Sequence, residues 1–232
     1  MGSLLSIDWD YFISTNYETI YSYVENKKSL LDAWYKRYFQ EKSKGKNLLN
    51  YFQLSGEIEG FWKKIQRVFK FDPNIKVFVS DSHALSYTIA KECDCKEVYL
   101  FDAHSDLGYG GLSSLNFNVT CANWLGKLLS EKNIERATII YSPYTKEKPD
   151  DFYPMNKVFN INYLKFNDLC GDITISAIHI CRSGAWSPPW YDKKFVGFIN
   201  GLGLPYKVID CPIRKWDTKN ITFSEQIQYL MV

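Results

Sequence analysis

Short apolar runs alternate with amphipathic stretches along most of the chain. LLSID (4–8), KVFVS (76–80), EVYLFD (97–102), ATIIYS (137–142), KVFNI (157–161), ISAIHICR (175–182) and YKVID (206–210) read as strands. The apolar spacing of GEIEGFWKKIQRVF (56–69), HALSYTIAKEC (83–93) and TCANWLGKLLSE (120–131) predicts helices between them. Two more helices are expected, one from Tyr17 to about Glu41, interrupted by the polar ENKKS, and one at about 191–200. Strands separated by helices predict an α/β fold, a three-layer α/β/α arrangement around a mainly parallel sheet. No repeat, low-complexity tract or linker divides the chain, so one domain over 1–232 is expected. SPYTKEKPDDFYP (142–154) reads as a long surface loop.

Composition narrows the partners. With 232 residues, 46% hydrophobic, and a formal charge of +2, this is an ordinary globular composition. That balance gives no electrostatic support for nucleic acid or for a membrane surface. No apolar run is long enough for a bilayer, and MGSLLSIDWDYF lacks the basic and long apolar parts of a signal peptide. The cysteines at 93, 95, 121, 170, 181 and 211 are scattered. Reduced thiols and a cytoplasmic protein are therefore the expectation. Nothing in the pattern bears on oligomeric state.

In parallel α/β sheets, ligands bind beyond the carboxyl ends of the strands. The polar residues that directly follow the predicted strands are Asp8 and Asp10; Asp81 and His83; Asp102, His104 and Asp106; and Arg182. A lone DxD is commonly a turn or a cap, and a lone histidine after a strand is commonly structural. Together, though, the carboxylates of Asp8, Asp10, Asp102 and Asp106 cannot share a pocket as bare charges, because each raises the pKa of the others. Two divalent cations would neutralise them. Oxygen-rich ligation with one imidazole per ion suits manganese better than a structural zinc site.

DAHSD (102–106) resembles the DAHxD signature of the ureohydrolase superfamily, which includes arginases, agmatinases and, more distantly, histone deacetylases. SDSHALSYTI (80–89) is similar to its GGDHS-type motif, and SIDWDYF (6–12) to its SxDxD motif. The resemblance implies two Mn2+ ions, one held by His83, Asp102, Asp106 and Asp8, the other by Asp102, His104, Asp8 and Asp10. Asp102 and Asp8 would then bridge. The SxDxD strand comes first here, whereas it follows the other motifs in arginases, so the chain looks circularly permuted. The motif that supplies a proton-shuttle histidine and amino-acid-binding groups is not recognisable, and 13–75 matches no part of the family. CANWL (121–125) and HICRSGAWSPPW (179–190) resemble a branch containing peptide arginases, which convert arginine side chains in ribosomally made precursor peptides to ornithine.

The expected activity is thus hydrolysis of arginine within a peptide, releasing urea, with an arginine-containing peptide as substrate. A small-molecule amidinohydrolase of the agmatinase kind and a non-catalytic peptide-binding module of the same fold are the alternatives. Asp106 is the candidate proton carrier. His179 lies inside a predicted strand, which favours a core role over proton shuttling. Arg182 suits either a substrate carbonyl or a structural ion pair. Trp186 and Trp190 flank a rigid Pro-Pro and would wall a peptide or pack a loop; Asn123 and Trp124 would line the pocket or pack a helix. An acid should grip the guanidinium, and Asp81, Glu57 and Glu59 are the candidates.

Overall fold

A computed structural model describes residues 2–18, 30–171 and 173–231. Its strands are β1 (Gly2–Asp8), β2 (Ile13–Thr15), β3 (Phe52–Leu54), β4 (Phe69–Ser80), β5 (Cys95–Asp102), β6 (Arg136–Tyr141), β7 (Ile161–Leu164), β8 (Ile173–Cys181) and β9 (Lys207–Asp210). Its helices are α1 (Leu30–Ser43), α2 (Phe61–Val68), α3 (Leu85–Glu92), α4 (Trp124–Ser130), α5 (Tyr153–Val158), α6 (Asp192–Gly201) and α7 (Phe223–Met231). Seven strands form one sheet in the order β7-β6-β5-β1-β8-β4-β9, and every pairing in it is parallel. β2 and β3 form a separate antiparallel pair.

Side-chain alternation sends successive residues of β1 to opposite faces. Leu5 and Ile7 join an aromatic-rich core with Trp34 of α1, Phe61 of α2, and Phe195 and Phe198 of α6. Leu4 joins Leu100, Ile139 and Ala177, under Ile89 of α3, Leu125 of α4 and Met155 of α5. Helices on both faces give the three layers expected, and burial on both faces explains why the strands read as nearly continuous apolar runs. Parallel pairing also brings the strand ends to one edge: Asp8 and Ser80 both lie opposite Cys181, and Asp102 lies opposite Tyr141.

Several boundaries differ from expectation. The helix expected over 56–69 starts as a 3-10 turn at Gly56–Ile58, and Gly60, at φ +90°, resets the chain before α2. β4 begins at Phe69 rather than 76, with an irregularity between Phe71 and Lys76. The strand expected at 157–161 is displaced to 161–164: Pro154 sits in the first turn of α5, and that helix carries on through Val158. Of the helix expected from Tyr17, 19–29 lie outside the described residues, and α1 begins at Leu30. The β2–β3 pair and α7 were not expected. Among the described residues, no helix is long and apolar enough to cross a membrane.

Candidate metal centre

The three motifs reach their places through local backbone chemistry. Asp8 ends β1 and caps the 3-10 turn Trp9–Phe12, accepting from Asp10 N at 3.0 Å. Asp102 ends β5, and its Oδ1 accepts from His104 N at 2.8 Å, a local turn of the kind aspartate favours. Asp106 sits at φ +53°, a left-handed conformation that aspartate tolerates better than most residues. Its carbonyl accepts from Leu125 N and Gly126 N at 3.1 and 3.3 Å, tying this loop to the start of α4. His83 lies in the turn between β4 and α3.

Two groups of candidate ligands result, one of Asp8, His83 and Asp102, the other of Asp10, Asp102 and His104. His83 Nδ1 lies 3.2 Å from Asp8 Oδ2, 3.0 Å from Asp102 Oδ2 and 2.9 Å from Asp106 Oδ2. His104 Nδ1 lies 3.1 Å from Asp10 Oδ2 and 3.5 Å from Asp102 Oδ1. Asp102 is therefore the shared member, one oxygen toward each group. Asp8 groups with His83 and Asp102, and its Oδ1 accepts from Asp10 N much as Asp102 Oδ1 accepts from His104 N.

The first group fits a cation on an independent ground. Despite their closeness to each other, His83 Nδ1 and Asp102 Oδ2 are buried without a hydrogen bond. Buried polar atoms are otherwise almost always paired. Ligand atoms bonded at about 2.0–2.2 Å to one cation and at right angles to each other stand about 3 Å apart. The observed spacings match that edge length. These buried clusters could hold a metal ion.

Electrostatics agree. Burial and the charge of Asp10 raise the Asp8 carboxyl above its ordinary value, and burial with three neighbouring aspartates raises Asp102 well above it. Burial opposes the charging of His83 and His104, yet the surrounding carboxylates raise both well above an ordinary histidine. Without a cation, the cluster retains protons in its place.

Further residues hold this set. Ser183, itself at φ +49°, donates to Asp8 Oδ2. Trp124 Nε1 donates to Asp106 Oδ2 at 2.5 Å, and its ring lies 5.0 Å from that of His83. The His104 side chain is 36% exposed whereas Asp10 is 8% exposed, so the cluster opens on the His104 side. Half-buried Trp186 stands at that opening, 6.3 Å from His104 between ring centroids.

Other expected site residues are placed elsewhere. Asp81 Oδ1 accepts from Arg182 Nε at 2.7 Å and from Gly184 N at 3.1 Å, an ion pair within the fold, while Asp81 Oδ2 and Arg182 Nη2 stay buried without a hydrogen bond. Asn123 bonds Thr120 N, Ser114 O and Asn118 O, which makes it the clasp of its own loop. Trp190 packs on Trp34, Phe52 and Trp216 in the aromatic core rather than beside Trp186. Both ring nitrogens of His179 are taken by serines, in line with a core role rather than proton shuttling. Glu59 is exposed; Glu57, also exposed, lines a cavity of about 590 Å³ together with Tyr11, Tyr141 and Ser142.

Glu147 was missed because it lies in the segment that read as a surface loop. The loop turns inward, with Thr145 donating to Ala103 O at 2.5 Å. Glu147 accepts from the N–H of Ser105, the residue between His104 and Asp106, at 2.8 Å and from Tyr109 OH at 2.6 Å. Burial and the charge of Asp106 raise its carboxyl, although Tyr109 and His104 oppose this. No protein-family model, curated protein or solved structure matches the chain, so any functional reading rests on this geometry and on the motifs.

Proposed function

We propose that this chain is a dimanganese hydrolase of the ureohydrolase kind, converting arginine side chains within a peptide to ornithine with release of urea. The observation that carries the reading is the bare Nδ1 of His83 set 2.9–3.2 Å from three aspartate oxygens. His83, Asp8, Asp102 and Asp106 would hold one ion, and Asp10, His104 and Asp102 the other. Bound there, a cation pair acidifies water to give a nucleophile at neutral pH and supplies Lewis acidity for the developing negative charge.

The chain's own groups divide the remaining work. Asp106 keeps Oδ2 toward His83 and Trp124, which leaves Oδ1 to carry a proton to the departing nitrogen. Glu147 replaces Asp81 as the acid for the guanidinium, because it stands beside the open His104 edge while Asp81 is held by Arg182. A cavity of about 590 Å³ beyond β6 and β7, lined by Tyr11, Tyr141, Ser142, Tyr163 and Phe166, offers room for residues that flank a target side chain. Water adds across one C–N bond of the guanidinium, leaving the amine of ornithine on the peptide.

Mass spectrometry of an arginine-containing peptide and free arginine, incubated together with the manganese-loaded protein, tests this. Conversion of the peptide alone is the expected result. Conversion of free arginine alone would overturn the substrate class. Two bound cations with neither substrate turned over would remove the arginine reading and leave a metal-dependent protein of another kind.

A further inference from the structure

Four polar side chains with no exposed surface, Ser6, Ser80, Ser86 and His179, interrupt the otherwise apolar face beneath α3. They come from β1, β4, α3 and β8 respectively. Ser6 and His179 are register partners on adjacent strands and so point to the same face. The four form one line of hydrogen bonds. Ser80 Oγ donates to the Ser82 carbonyl at 2.9 Å and lies 2.7 Å from His179 Nε2. His179 Nδ1 is 2.5 Å from Ser86 Oγ, which is 2.8 Å from Ser6 Oγ. Ser6 Oγ is in turn 2.7 Å from His83 Nε2.

The polarity of this line follows from its carbonyl end. A carbonyl only accepts, so the single hydroxyl proton of Ser80 is directed at Ser82 O. Ser80 Oγ then accepts from His179 Nε2–H. Burial, with serines as its hydrogen-bond partners, keeps His179 neutral, so its Nδ1 accepts the proton of Ser86. Ser86 accepts from Ser6, and Ser6 accepts from His83 Nε2–H. A proton on Nε2 leaves the Nδ1 lone pair of His83 directed at Asp8, Asp102 and Asp106.

We propose that this serine–histidine relay fixes His83 in the tautomer that offers Nδ1 to a cation, with His179, Ser86 and Ser6 as positioning residues. The inference rests on the metal reading above. It gives the buried His179 a role at a distance: were its proton on Nδ1, Ser80 would have to leave the Ser82 carbonyl to donate to Nε2, and the bonds from His179 to His83 would reverse. Ser6 would then donate to His83 Nε2, and an N–H would face the carboxylates.

The test uses the full chain labelled with 15N-histidine, with Zn2+ as a diamagnetic probe. The chain has 3 histidines, so the ring-nitrogen signals can be assigned by single replacements. His179 is expected to carry its proton on Nε2 with a bare Nδ1, and a proton on Nδ1 would overturn the proposal. Ser86→Ala is expected to weaken Zn2+ binding by about 10–100-fold, as loss of an outer hydrogen-bond partner does, and Ser86→Thr to restore it. Unchanged affinity in folded Ser86→Ala would overturn the relay while leaving the metal reading intact. No binding by the wild type would remove the metal reading itself. Should Ser86→Ala fail to fold, Ser80→Ala removes the carbonyl anchor with the same expected loss, and the wild-type tautomer decides independently of any variant.

Discussion

Two buried polar clusters stand at the same edge of the sheet and meet the cost of burying charge in different ways. In one, Arg182 bonds Asp81 at 2.7 Å and Asp192 at 3.2 Å, and Arg214 bonds Asp192 at 3.0 Å. Two carboxylates face two guanidiniums, so the charges cancel within the chain. In the other, Asp8, Asp10, Asp102 and Asp106 gather around two imidazoles, and among the described residues no lysine or arginine pairs with them. Both clusters follow strands, and both contain buried acids. Unbalanced charge, rather than burial, separates a candidate site from a structural ion pair.

The largest expected effect breaks the unbalanced cluster. Asp102→Ala removes the member common to both groups, so loss of binding at both should exceed the roughly 10–100-fold cost of losing an outer partner. Titration with Mn2+ checks it, and retained affinity would mean that the carboxylates are not ligands. The balanced cluster should fail differently. Arg182→Ala leaves Asp81 buried without its partner, which costs about 3–5 kcal/mol. For a chain of this length that is a fall in Tm of roughly 6–20 °C. Mn2+ affinity at a temperature where the variant is folded should stay at the wild-type value, and a parallel loss would merge the two clusters into one functional unit.

This contrast also marks what the sequence could and could not reveal. The main sheet was legible because both faces are buried and its strands read as apolar runs. The candidate cluster was legible because parallel strands deliver their terminal residues to one edge, so position gathered Asp8, Asp10, His83, Asp102, His104 and Asp106, together with Asp81 and Arg182. The fate of Asp81 and Arg182 was not. Their pairing depends on β4 lying beside β8, and the close approach depends on Gly184, where a Cβ would come within 2.7 Å of Asp81 Oδ1. Trp190 was misplaced for a similar reason: its partner Trp34 belongs to a helix that matched no motif. Ser6 and Ser80 look like ordinary small residues in strands, and only their distances to His83 and His179 give them meaning.

A smaller effect comes from pH. The carboxylates raise His83 and His104 above ordinary histidine, and burial raises Asp8 and Asp102, so the cation-free cluster shares protons among these groups. A cation must displace those protons, so affinity rises with pH and falls as pH drops from about 8 to 6. Calorimetric titration in buffers of different ionisation enthalpy reads the proton release directly. The Arg182 pair carries no such competition, since arginine keeps its charge throughout. An affinity independent of pH would mean that the cluster does not exchange protons for metal.

The smallest effect tests a single contact. Trp124→Phe keeps an aromatic ring against His83 but removes the N–H that holds Asp106 Oδ2 at 2.5 Å. A hydrogen bond to a charged group contributes about 1.5–3 kcal/mol, only part of which reaches the cation. The expected loss in Mn2+ affinity is about tenfold, at the low end for an outer partner. Because Trp124 is also core, the result needs a matched control on the other face of the sheet. Trp62 Nε1 donates to the Phe198 carbonyl at 2.7 Å, an indole bond of the same kind that touches no ligand. Trp62→Phe should therefore lower Tm by a similar amount and leave Mn2+ affinity unchanged. If both variants weaken binding equally, the loss belongs to the stability of the fold; if only Trp124→Phe does, the indole acts on Asp106.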